Sequence, residues 1–129
     1  MNKFNKIKNQ SFRSYYIRAV NAFKGLYTVL KEENSFVVIF IIIFISYITA
    51  GILHTKMTAL EWIVVVITGT LILVVEVINT AIENIVDLIN FRYGINAKKI
   101  KNIASAASLL MILGAIIVYL ILFISKVVQ

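Results

Sequence analysis

Glu76-Val77-Ile78-Asn79-Thr80-Ala81-Ile82-Glu83-Asn84-Ile85-Val86-Asp87 closes an apolar run that begins near Trp62. Whether this stretch belongs to water or to lipid settles what kind of molecule the chain forms. Three carboxylates and two carboxamides sit where the surrounding residues read as membrane. At about 100° per residue, Glu76, Asn79, Glu83 and Asp87 fall within an arc of about 80° on one helix face. Ionisable groups at membrane depth are costly. They usually face a bundle interior or a wet cavity and have a task there.

On the N-terminal side of this face, Trp62 to Val75 is apolar and rich in β-branched residues. Val and Ile are mediocre helix formers in water, but in lipid the need to close every backbone hydrogen bond within the segment outweighs propensity. The expected helix runs over 59–89. At over thirty residues it is too long for the hydrocarbon alone, so its last turns should emerge on the far side. Thr58 is placed to cap it, with Glu61 three residues on as a capping box. Trp62 reads as an interfacial anchor. His54 to Thr58 is a polar turn, and His54 reads as a loop residue on the outer side. Before it, Phe36 to Leu53 holds no charged residue. Its eighteen residues reach about 27 Å, close to a hydrocarbon core of about 30 Å, which makes 36–53 a first span.

On the other side, residues 90–102 form a polar connection with Arg92, Gly94, Lys98, Lys99 and Lys101. A third span follows over 103–124. It opens on Ala104, Ser105, Ala106, Ala107 and Ser108, small residues that let helix backbones approach closely in a bilayer, and Gly114-Ala115 repeats the chance deeper in. Residues 1–10 read as a solvated start. Over 11–31, Phe12, Tyr15, Tyr16, Ala19, Phe23, Leu26, Tyr27 and Leu30 recur at helical spacing among Arg13, Arg18, Lys24 and Lys31. This is the pattern of an amphipathic helix lying in the interface, with the aromatic residues as membrane contacts.

The fold class so predicted is all-α integral membrane: three transmembrane helices preceded by an N-terminal amphipathic interfacial helix, in one domain over 1–129. Composition agrees. The chain is 60% hydrophobic, with a mean hydropathy of +0.92 and no proline or cysteine. The lack of cysteine excludes disulfides, thiolate metal sites and cysteine nucleophiles, and a single His leaves no zinc cluster. The net charge of +7 does not indicate nucleic acid, because the basic residues flank apolar segments. Residues 1–34 carry seven basic residues and 90–102 carry four, against Lys56 and Lys126 on the opposite side. The positive-inside rule therefore places the N-terminus and the carboxylate end in the cytoplasm. The basic N-terminus lacks the long apolar core and cleavage site of a secretory signal, so the mature chain should keep it.

Glu33, Glu76, Glu83 and Asp87 would then meet near the cytoplasmic interface. So many negative charges repel one another, and a divalent cation such as Mg²⁺, which prefers carboxylate oxygens and often arrives with phosphates, would relieve them. Lys98, Lys99 and Lys101 could face those phosphates. No G-x-x-x-x-G-K-[ST] loop or kinase-type glycine loop is present, so a nucleotide site would need another construction. From the residues alone, three readings stand. One is a membrane phosphotransferase. Another is an ion- or proton-translocating subunit with Glu76 as the relay. The third is a polar face that merely joins helices. Carboxylates running from within the membrane out to its edge suit one substrate arriving from lipid and another from water.

Glu76-x-x-Asn79-Thr80-Ala81-Ile82-Glu83-x-x-Val86-Asp87 resembles the signature of the prokaryotic diacylglycerol kinase family, which includes the undecaprenol kinases of Gram-positive bacteria. Ala22-Phe23-Lys24-Gly25-Leu26 is similar to the family's N-terminal helix and Glu32-Glu33-Asn34 to the acidic turn before its first span. Lys101 with Ala104, Ala106 and Ala107 is similar to the start of its third span. The resemblance extends from about residue 12 to 125. It implies a homotrimer in the bacterial cytoplasmic membrane, with composite active sites between subunits. The substrates would be MgATP and a lipid alcohol, undecaprenol ahead of diacylglycerol, since Glu-Glu-Asn and Ile82-Glu83-Asn84-x-Val86-Asp87-Leu88 look closer to the Gram-positive branch. By the same resemblance Glu76 is the general base on the lipid hydroxyl, and Asn79 holds Glu76 and the transferred phosphoryl. Glu33 and Glu83 hold the metal, and Asp87, Lys101 and Asn102 lie at the nucleotide. The family usually has Asp at the position of Asn102, which bears on nucleotide affinity rather than on the core chemistry.

Overall fold

The computed structural model describes residues 3–52, 57–89 and 94–127. All regular structure among them is helical: α1 (Lys3–Glu32), α2 (Asn34–Ile52), α3 (Ala59–Ile89) and α4 (Ile95–Val127). Three stretches, Asn34–Ile52, Ala59–Ile89 and Asn96–Lys126, are long and apolar enough to cross a membrane. Their outward side chains include Ile41, Phe44, Ile63, Ile67, Leu110 and Ile121, all exposed, as lipid-facing residues must be.

Residues 1–34 and 35–129 form two compact units. In the first, α1 starts at Lys3, earlier than the expected 11. The Asn- and Lys-rich opening contains no Gly or Pro to stop a helix, so its polarity does not prevent helical hydrogen bonding. Tyr15, Tyr16, Phe23 and Tyr27 all stand exposed, and the Arg18 guanidinium lies 6.0 Å from the centroid of the Tyr15 ring. Glu33 is the single non-helical residue between α1 and α2, and its N–H donates to the Val29 carbonyl at 2.9 Å.

In the second unit α3 is the hub and packs chiefly against α4. Ile43 of α2, Ile72 of α3 and Ala115 of α4 form the buried centre. Gly69 leaves room for side chains of α2: a Cβ there would overlap the Tyr47 hydroxyl and lie 3.0 Å from a methyl of Ile43. Tyr47 and Tyr119 donate to the Val66 and Val65 carbonyls, each at 3.2 Å, which ties α2 and α4 to the same turn of α3. Gly114, expected at a helix contact, faces open space, and the contact falls on the neighbouring Ala115.

The start of α3 is closed as the capping box requires. The Thr58 N–H donates to Glu61 Oε2 at 2.7 Å and the Glu61 N–H to Thr58 Oγ1 at 3.4 Å. Glu61 Oε1 also pairs with Lys126 Nζ at 2.9 Å, which locks the first turn of α3 to the last turn of α4. α4 begins at Ile95, eight residues before the expected 103. The Lys98–Lys101 stretch is charged, yet lysine and alanine are good helix formers and the breaker Gly94 precedes the helix. Residues 53–56 and 90–93, which carry Leu53 at the end of the first expected span, His54, Lys56 and Arg92, lie outside the described residues.

Candidate functional site

The last four turns of α3 and the first four of α4 run antiparallel and carry the residues Glu76, Asn79, Glu83, Asp87 and Lys101. Exposure rises along the α3 face toward its C-terminus. Glu76 is buried at 5%, Asn79 and Glu83 are half-buried and Asp87 is exposed. Among the described residues Glu76 has no hydrogen-bond or ion-pair partner, although it sits in an apolar helix. A carboxylate left unpaired in so apolar a setting is costly, so such a group calls for a ligand.

One turn on, Asn79 Nδ2 donates to Glu83 Oε1 at 3.0 Å, a contact that i, i+4 spacing permits. This fixes the carboxamide so that Asn79 Oδ1 points into the protein, where it is buried without a partner. Ser105 of α4 reaches Glu83 Oε1 at 3.4 Å while bonding the Lys101 carbonyl at 3.0 Å. One hydroxyl proton serves both, so the link to Glu83 is the weaker one. Asp87 and Lys101 close the seam in a bidentate pair, with Nζ 2.6 Å from Oδ1 and 2.8 Å from Oδ2. Lys98, Lys99 and Asn102 are exposed on the same end of α4.

The structure thus places Glu76, Asn79, Glu83, Asp87 and Lys101 along one α3–α4 seam, with Asn102 exposed beside Lys101. Glu33 belongs to the other unit, at the α1–α2 junction. Among the described residues no three His, Cys, Asp or Glu side chains gather into a metal cage. The oxygen donors that are present, the Glu83 carboxylate and the orphan Asn79 Oδ1, still suit a hard cation. Mg²⁺ is commonly held by one or two carboxylates together with substrate phosphates and water.

Two further hydroxyls belong to this seam. Ser105 and Ser108 stand among the small residues that open the expected third span, and they follow Lys101 at i+4 and i+7 and so share its helix face. Ser108 is buried, and its Oγ has no partner. A separate cavity of about 330 Å³, lined by Ser46, Ala50, Val65, Tyr119, Phe123 and Lys126, lies at the other end of the helices. Val65 and Glu76 are about 16 Å apart along α3, with the Ile43–Ile72–Ala115 cluster between them. The cavity therefore does not belong to the carboxylate seam.

The sequence profile described as prokaryotic diacylglycerol kinase matches residues 20–123 and so takes in the whole seam. No match is found among curated proteins.

Proposed function

Because the chain belongs to the prokaryotic diacylglycerol kinase family, and is thereby an ATP-dependent membrane lipid kinase, we propose that its acceptor is undecaprenol, converted to undecaprenyl phosphate. Diacylglycerol, giving phosphatidic acid, is the alternative acceptor. Glu76, a buried residue without a partner in an apolar helix, carries the phosphoryl-transfer reading, and the likeness of Glu32-Glu33-Asn34 to the Gram-positive branch favours undecaprenol. Glu76 is the group expected where a lipid hydroxyl must give up a proton away from bulk water. The ion- and proton-translocating alternative falls with the family membership.

The lipid alcohol approaches from the bilayer and directs its O–H at Glu76. Glu76 takes that proton as the hydroxyl oxygen bonds to the γ-phosphorus and ADP leaves. Asn79 holds the reacting group from one turn away, its carboxamide set by Glu83. Glu83 faces the phosphates of the nucleotide, and Glu33 joins it as a metal ligand on the family resemblance alone. Magnesium, when bound, neutralises charge on the phosphate oxygens. Lys101 contributes positive charge at the nucleotide, oriented by its pairing with Asp87, and Asn102 lies at the same edge. Measured from Trp62 as an interfacial anchor, a core of about 30 Å ends after about twenty residues, close to Ile82. That depth supports a lipid-side Glu76 and a water-side Asp87.

The charge asymmetry supports a cytoplasmic N-terminus in a bacterial cytoplasmic membrane, with the aromatic face of α1 on the interface. The small residues of α4 are compatible with the homotrimer that the family resemblance implies. The test is a side-by-side kinase assay of purified protein with Mg-ATP and each lipid in mixed micelles. Undecaprenol should give the higher kcat/KM. Preferential phosphorylation of diacylglycerol would overturn the substrate assignment, and no phospholipid from either would overturn the kinase mechanism.

A further inference from the structure

Hydroxyls in apolar helices usually satisfy themselves on their own backbone. Here Ser46, Thr49, Thr70, Ser105 and Ser125 donate to carbonyls three or four residues earlier, at 2.7–3.0 Å. Ser108 does not. It is 8% exposed, and its Oγ is buried with no partner. An unmade hydrogen bond is costly away from water, so a hydroxyl that forgoes its own helix carbonyl is available to something else.

Its surroundings indicate what that is. Asp87 pairs with Lys101, Glu83 meets Ser105 and Ile72 packs with Ala115, which sets the antiparallel register of α3 and α4. One turn beyond Ser105, Ser108 comes level with Asn79 and Thr80, one turn before Glu83. Within about two turns of helix the seam therefore holds four polar groups with no protein partner among the described residues: the Glu76 carboxylate, the Thr80 hydroxyl, Asn79 Oδ1 and Ser108 Oγ, the last two with their polar atoms fully buried. Two of these can only accept when Glu76 is ionised. Ser108 and Thr80 can donate, and of these two Ser108 is the one whose oxygen is fully buried. A single alcohol oxygen satisfies two of them, donating its hydrogen to Glu76 while accepting from Ser108, and leaves Asn79 Oδ1 to the phosphoryl side of the site.

We propose that Ser108 is an acceptor-binding residue, donating a hydrogen bond to the oxygen of the lipid alcohol that Glu76 deprotonates. This rests on the kinase reading above. It adds a contact from α4 at the acceptor end of the site, where Glu76 and Asn79 both come from α3, and it fixes the hydroxyl from two sides.

The experiment compares wild type, Ser108→Ala, Ser108→Val and Ser108→Thr in detergent micelles. Kinase kinetics are measured by varying the lipid alcohol at saturating Mg-ATP, and then the reverse. Ala and Val should lower kcat/KM for the lipid about five- to thirty-fold, the loss expected for one hydrogen bond to a substrate hydroxyl, while KM for ATP stays within about two-fold. Thr, which keeps the hydroxyl, should retain most of the activity. A second readout needs no turnover: farnesol without nucleotide should raise the thermal midpoint of wild type and Ser108→Thr more than that of Ser108→Ala. Ala kinetics equal to wild type, or an equal rise in both KM values, would overturn the proposal; the first outcome would leave only a buried water at Ser108. A wild type that makes no phospholipid fails the kinase reading instead, and the farnesol comparison then decides Ser108 separately.

Discussion

Replacing Glu76 with glutamine separates chemistry from packing more cleanly than any other single change. The amide keeps the shape of the side chain and removes both its charge and its ability to take a proton. Turnover should fall by about 10²–10⁴-fold, the usual share of a general base. Thermal stability in detergent should hold or rise, because an unpaired buried carboxylate is replaced by a neutral group. Turnover close to wild type would remove Glu76 from the role of base. Glu83→Gln should raise the Mg²⁺ concentration needed for half-maximal rate, and an unchanged metal dependence would rule out its ligand role. Asn102→Asp should lower KM for ATP if that exposed position meets the nucleotide; an unaltered KM places it outside the site. The carboxylates and Asn79 were legible in the sequence because charges and amides stand out in an apolar run. Ser105 and Ser108 were not, because a serine in a small-residue stretch reads as packing until the α3–α4 register shows what it faces.

Helix α3 makes its boundaries and its neighbours by different means, and only the first is local. The Thr58–Glu61 box could be read from four residues, since both bonds lie within one turn. Thr58→Ala should destabilise the protein by about 0.5–2 kcal/mol, seen as a lower thermal midpoint. The Gly69–Tyr47 approach could not be read, because nothing in the apolar run Trp62–Val75 says which residue another helix will cross. Gly69→Ala should cost about 1–3 kcal/mol, as the new methyl displaces Tyr47 and breaks its bond to the Val66 carbonyl. Adding Tyr47→Phe should recover part of that loss, and strictly additive effects would show that the two do not touch. The early start of α4 was hidden for a related reason: charge marks the edge of a membrane but not the end of a helix, and the lysines of α4 are helical.

The three apolar spans were legible because hydropathy over eighteen or more residues is a strong signal. Long-range pairing was not. Lys126, which in the sequence is a lone charge after the third span, pairs with Glu61 across α3 and α4. Because the chain lacks cysteine, orientation can be tested with single replacements and an impermeant maleimide. In intact cells Met57→Cys should label and Asn102→Cys should not; the reverse pattern would invert the topology. Cross-linking in detergent should give a ladder that stops at three copies, and a ladder stopping at two would contradict the trimer. The most direct measurement remains the paired kinase assay of wild type and Glu76→Gln with undecaprenol and Mg-ATP. Undecaprenyl phosphate from wild type and almost none from the variant is the expected result. Equal product from both, or none from wild type, would contradict a buried Glu76 as the base of a lipid kinase.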